Sequence, residues 1–180
     1  MAGRMSRKTW LILAIVIIAV GAIVGIGLSR SSPGPSDLTL PIITWNETTL
    51  SALKGTPVVL NFWSISCAYC RQQLPYLESV AQQSGGEIEV MAINIADSAA
   101  RVRSFFGDYE PAMTIALDND REAFKDYGVA HNNTGGYIPF TLLVDSEGIV
   151  RYAKIGAFAS EEALWNTLHD VFGTAIPETS

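Results

Sequence analysis

The sequence predicts an α/β fold with a mixed central sheet flanked by helices. Three observations carry it. Short apolar runs rich in β-branched and aromatic residues alternate with stretches of helical periodicity. A turn near residue 147 closes a hairpin late in the chain. A capped amphipathic helix follows that hairpin.

The elements can be justified in order. "PVVLNFW" (57–63) reads as a buried strand. After the cysteines, Leu74, Leu77, Val80 and Ala81 recur at helical spacing until Gly85-Gly86 stops them, with Pro75 expected to kink the helix. "IEVMAINI" (88–95) is a second buried strand. Asp97 or Ser98 caps a helix bearing Val102, Phe105 and Phe106 on one face. "AMTIALD" (112–118) is a third strand, with a short helix near 121–127. "IPFTLLVD" (138–145) and "IVRYAKI" (149–155) form the hairpin around "SEG". Ser160 caps the last helix, with Glu161 and Glu162 favourable in its first turn and Leu164, Leu168, Val171 and Phe172 on its buried face.

The N-terminus sets the expected compartment. Trp10 to Leu28 is uncharged over nineteen residues. As a helix it spans roughly 28 Å, close to a bilayer's hydrocarbon core of about 30 Å. Arg4, Arg7 and Lys8 precede it and only Arg30 follows closely, which holds the N-terminus in the cytoplasm. A cleaved signal peptide is the competing reading. The run is longer than the usual h-region of about 7–15 residues, and no clear A-x-A site follows. The expected layout is therefore a cytoplasmic N-terminus (1–9), a single-pass anchor (10–28), a Ser/Pro/Gly tether (29–37) and one extracytoplasmic domain (38–180). From Ser31 onward there are 18 acidic and 8 basic residues, a balance of −10, which disfavours nucleic acid and anionic lipid surfaces as partners.

Cys67 and Cys70 are the only cysteines, three apart in "NFWSISCAYCRQQLP" (61–75). A zinc site needs about four ligands, and His131 and His169 are each isolated and far along the chain. A purely structural disulfide closing so small a ring removes little chain entropy. A redox dithiol explains the pair. Cys67 falls where a helix begins, and there unpaired N–H groups and the helix dipole favour a thiolate, the species that attacks disulfides. Cys70 lies one turn in, placed to resolve the mixed disulfide. An oxidising compartment outside the cytoplasm suits such chemistry.

The segment "VVLNFWSISCAYCRQQLP", together with "GGYIPFTLLVDSEGIV", resembles thioredoxin-fold proteins, the membrane-anchored TlpA/ResA/CcmG branch above all. The resemblance covers roughly residues 38–172. It implies a thioredoxin-like fold with an inserted strand and helices within 97–130. It implies a thiol–disulfide oxidoreductase that needs no cofactor beyond a redox-active Cys67–Cys70 disulfide. Cys67 would attack and Cys70 resolve. Pro139 would be cis, face the dithiol and bar metal from it. The Ile138 backbone would pair with an extended client peptide, and Trp63 and Tyr69 would line the site or contact partners. Phe140 is read as core. The implied clients are protein disulfides, including those of apocytochrome c, with a membrane thiol carrier as electron donor.

Two positions depart from the wider pattern. Asn61 stands where thioredoxins proper carry a buried Asp, and Gln73 where several anchored relatives carry Glu. With neither acid present, Cys67 is expected to titrate simply. His131, in "VAHNNTGG" (129–136), is read as a solvated loop residue, although the loop precedes Pro139 closely enough for it to approach the dithiol. "NETT" and "NNTG" fit the glycosylation sequon, a short match that is usually accidental. Two other functions compete. A copper chaperone of related fold places its cysteines four apart and lacks a proline beside the metal. A thiol peroxidase needs Thr and Pro before its reactive Cys, where this chain has Ser64, Ile65 and Ser66. The residues alone do not fix the direction of electron flow, because Ala68 and Tyr69 tune the potential.

Overall fold

The computed structural model describes residues 53–173 together with two short strands, β1 (Thr39–Leu40) and β2 (Thr48–Thr49), which pair antiparallel. The expected anchor and tether lie outside the described residues. Among the described residues, no helix is long and apolar enough to cross a membrane.

Five strands make the central sheet: β3 (Val58–Trp63), β4 (Glu89–Asn94), β5 (Thr114–Leu117), β6 (Phe140–Val144) and β7 (Val150–Ile155). Their spatial order is β5-β4-β3-β6-β7. β3 pairs parallel with β4 and antiparallel with β6, so the sheet is mixed as the sequence predicts. β3 sits at the centre and every residue in it is buried, which is why it reads as a continuous apolar run rather than an alternating one.

Alternation along β3 divides the core. Val59 and Trp63 face one cluster, which also holds Leu77, Val80, Leu164 and Leu168 from the helices. Val58, Leu60 and Phe62 face the other, with Phe124, Tyr127 and Phe140. Phe140 is fully buried, the core position that the sequence reading gives it.

The helices are α1 (Ala68–Gln83), α2 (Ala99–Phe106), α3 (Glu122–Ala130) and α4 (Glu161–Phe172). α1 runs through Pro75 and ends before Gly85 and Gly86, both at positive φ. Ser98, not Asp97, caps α2. Of the expected α2 face only Val102 is buried; Phe105 is exposed and Phe106 partly so. Ser160 caps α4 through the Ala163 N–H at 3.1 Å. Trp165 joins Leu164 and Leu168 on the buried face of α4, while Val171 and Phe172 are only partly buried.

Both sheet edges are blunted. β5 has four residues. β7 alternates exposed and half-buried positions: Arg151, on the exposed face, pairs with Asp145 and Glu147, while Lys154 is half-buried on the opposite face with its Nζ 5.3 Å from the Phe158 ring centroid.

Candidate active site

The dithiol forms where β3 gives way to α1. Cys67 is the N-cap of α1, in extended backbone conformation (φ −83°, ψ 111°), and its Sγ accepts the Cys70 N–H at 3.1 Å. A capping residue leaves the first N–H groups of the helix aimed at its own side chain, so a sulfur here sits in the field that favours negative charge. The two sulfurs are bonded at 2.17 Å, across a Cα–Cα distance of 5.2 Å. Cys67 is half-buried and Cys70 fully buried, so an outside molecule reaches Cys67 first.

The loop before β6 meets the sulfur from across the site. The Ile138–Pro139 peptide is cis, as the resemblance implies, and the Ile138 carbonyl oxygen lies 3.7 Å from Cys67 Sγ. A groove of about 380 Å³ opens beside this contact, lined by Tyr69, Gln72, Ile138, Pro139, Gly156 and Phe158. Tyr69 is 69 % exposed. Trp63 stands elsewhere. It is fully buried against Phe105 and Phe106, with ring centroids 5.6 and 6.0 Å away, in the core cluster that also holds Cys70, and it presents no face to a client. A second cavity, of about 410 Å³, lies between Arg71–Gln82 and Phe105–Met113 and touches neither sulfur.

Beneath the dithiol lies a buried neutral network. Gln73 Nε2 donates to Asn61 Oδ1 at 2.8 Å and to Thr141 Oγ1 at 3.1 Å. Thr141 Oγ1 in turn donates to Asn61 Oδ1 at 3.1 Å. The Phe158 N–H donates to Gln73 Oε1 at 2.8 Å, which ties the groove wall to α1. All three side chains are fully buried, and none of them ionises. Asn61 and Thr141 are register partners across β3 and β6, which is how residues eighty apart come together. Thr141 escapes sequence reading because only the strand register reveals it. Among the described residues no group of three or more His, Cys, Asp or Glu side chains is placed to hold a metal ion.

His131 lies away from the sulfurs. Its ring stacks on Tyr127, which belongs to the cluster on the sheet face opposite Cys70. Burial holds its imidazole below the ordinary value of 6.5. The unfolded chain therefore takes up this proton at higher pH than the folded one. The stability tied to the neutral ring is complete above about pH 6.5 and is lost as the pH falls through the folded value. Urea midpoints measured between pH 7 and pH 5 are expected to fall less steeply in His131→Gln than in the parent chain.

The chain is similar to known proteins. A model of the AhpC/TSA family matches residues 34–153. The thiol-disulfide oxidoreductase ResA of Bacillus subtilis is 30 % identical over 133 residues, spanning 73 % of this chain and 68 % of that protein. The thioredoxin-like protein YneN of the same organism is 26 % identical over 140 residues, 76 % of this chain and 78 % of that one. The crystal structure of a protein from Chlorobium tepidum assigned as a thiol:disulfide interchange protein DsbE superposes with a TM-score of 0.66 at 25 % identity, covering 77 % of this chain and 94 % of that one.

Proposed function

Because this chain belongs to the AhpC/TSA family of thioredoxin-like proteins and is a thiol–disulfide oxidoreductase of the ResA/DsbE type, we propose that it reduces protein disulfides outside the cytoplasm while tethered to the membrane through residues 10–28. The observation that carries the reading is the unequal pair. Cys67 is accessible at the start of α1, while Cys70 is buried one turn behind it and bonded to it.

Each electron pair moves in two exchanges. The Cys67 thiolate attacks one sulfur of a client disulfide, a mixed disulfide forms, and the first client thiolate leaves and takes up a proton. Cys70, deprotonated, then attacks Cys67 Sγ. The second client thiolate leaves, the client is reduced by two electrons, and the Cys67–Cys70 disulfide is the oxidised product. A membrane thiol carrier returns the pair to the dithiol. The groove formed by Tyr69, Ile138 and Pro139 is the place for an extended client segment. Apocytochrome c, whose haem-attachment cysteines must be reduced, is the client class that fits a ResA-like enzyme. The tether of residues 29–37 spaces the domain of residues 38–180 from the bilayer, with residues 1–9 in the cytoplasm.

The test is a trap. Cys70→Ser in the full chain is expected to stall the mixed disulfide on Cys67, giving client adducts that dissolve on adding dithiothreitol. The Cys67/Cys70 couple is expected to equilibrate with glutathione at a strongly negative potential. A potential near that of a strong oxidant would reverse the direction proposed, and absence of any adduct would sink the client assignment. Rapid peroxide consumption would favour the peroxidase reading instead.

A further inference from the structure

In the turn before Cys67, both backbone groups of Ile65 are held by side chains. The Ile65 N–H donates to Asp97 Oδ2 at 2.9 Å, and the Ile65 carbonyl accepts from Arg71 Nη1 at 2.6 Å. The turn then closes on the cysteine itself, whose N–H donates to the Ser64 carbonyl at 3.2 Å. Asp97 is only 5 % exposed, an unusual place for a carboxylate unless it is bonded. Its bonds are divided. Oδ2 takes the Ile65 N–H and Asn94 Nδ2 (3.1 Å), while Oδ1 takes Arg101 Nη1 at 3.2 Å. Asn94 fixes the carboxylate further, because its Oδ1 accepts the N–H groups of Ala96 and Asp97 itself. Ser98 already caps α2, so Asp97 is free of that duty.

We propose that Asp97 is a positioning residue for Cys67: by holding the Ile65 amide it fixes the Ser64–Ser66 turn that delivers the sulfur to the start of α1. The inference rests on Cys67 being the attacking thiol. The cap geometry depends on that turn. If Ile65 drifts, Cys67 leaves its extended conformation and its sulfur leaves the line of the helix N–H groups, which stabilise the thiolate. Three charged groups surround the turn: Arg71 from α1, Asp97 from the segment after β4, and Arg101 from α2.

Charge and position are separable by substitution. In Asp97→Asn the amide oxygen can replace Oδ2 and keep both loop bonds; only the bond to Arg101 is lost, and that side chain is 67 % exposed. Asp97→Ala has the same charge as Asp97→Asn but no acceptor. The difference between these two variants therefore reports the hydrogen bond, free of the carboxylate's own field.

The experiment measures iodoacetamide alkylation of the reduced full-length chain against pH, with mass spectrometry identifying the cysteine modified first. Folding is checked by circular dichroism. At pH 7, Asp97→Asn is expected to alkylate at Cys67 at least as fast as the parent, because a nearby negative charge has gone. Asp97→Ala is expected to be about threefold slower than Asp97→Asn, the scale of a thiolate's interaction with a helix N-terminus. Identical pH profiles for the Asn and Ala variants would overturn the inference. If Asp97→Ala does not fold, Asp97→Glu serves, with the charge kept and the reach changed. A slower profile than the parent supports the inference and an unchanged one overturns it. First modification at Cys70 in the parent would overturn the assignment of Cys67 itself, and with it this inference.

Discussion

Replacing Cys67 by alanine is expected to lower disulfide exchange with any client by at least about a thousandfold, leaving the fold intact. The reason is positional. Cys67 is the half-buried cysteine of the pair, the one capping α1 and the one facing Ile138. Cys70 is fully buried, so its thiol cannot take over the attack. Insulin reduction with dithiothreitol as donor is a direct assay, read by turbidity. Cys70→Ala should differ in kind, since it still forms mixed disulfides and releases them slowly. Equal rates for Cys67→Ala and the parent chain would remove the basis for every role assigned around the dithiol.

The second large effect falls on stability. Gln73→Leu is expected to cost roughly 3–5 kcal/mol, a substantial share of the 5–15 kcal/mol typical of a domain. Leucine roughly fills the volume but makes none of the bonds. The buried Phe158 N–H loses its acceptor, and Asn61 and Thr141 each lose a bond to Nε2. The Phe158 N–H left unpaired costs about 1–3 kcal/mol, and Asn61 and Thr141, which keep the bond between them, each lose one bond worth about 1 kcal/mol. Gln72→Leu, one residue earlier and exposed, is the control and should change stability by no more than about 0.5 kcal/mol. Urea denaturation of both variants decides the matter. If Gln73→Leu matched the control, the network would have no energetic weight. Because Phe158 lines the groove, the same substitution should also weaken client exchange.

Much of this architecture is legible in the chain because it is local. The buried strands announce themselves by apolar runs, the helices by spacing and by Ser98 and Ser160 as caps. The dithiol is legible from the spacing of Cys67 and Cys70, and the cis-proline loop from the family resemblance that the two motifs carry. What is hidden depends on register or on contacts between distant segments. Thr141 looks like an ordinary strand threonine until β6 is laid against β3. Asp97 looks like a helix cap because it stands beside one, and only the tertiary fold brings it to Ile65. The resemblance places Trp63 at the site, yet strand alternation turns it into the core. Trp165 is hidden because an indole's burial depends on which neighbours cover it.

The blunted margins of the sheet bear on how densely such molecules can be gathered. A flat, apolar outer strand invites another molecule to continue the sheet. Here one margin is four residues long, and the other carries a cation on each of its faces, Arg151 on the exposed one and Lys154 on the half-buried one. Crowded side by side, neighbouring copies would find a truncated ribbon on one margin and charged side chains on the other. They would remain separate catalysts, each with its groove open to the next protein that passes.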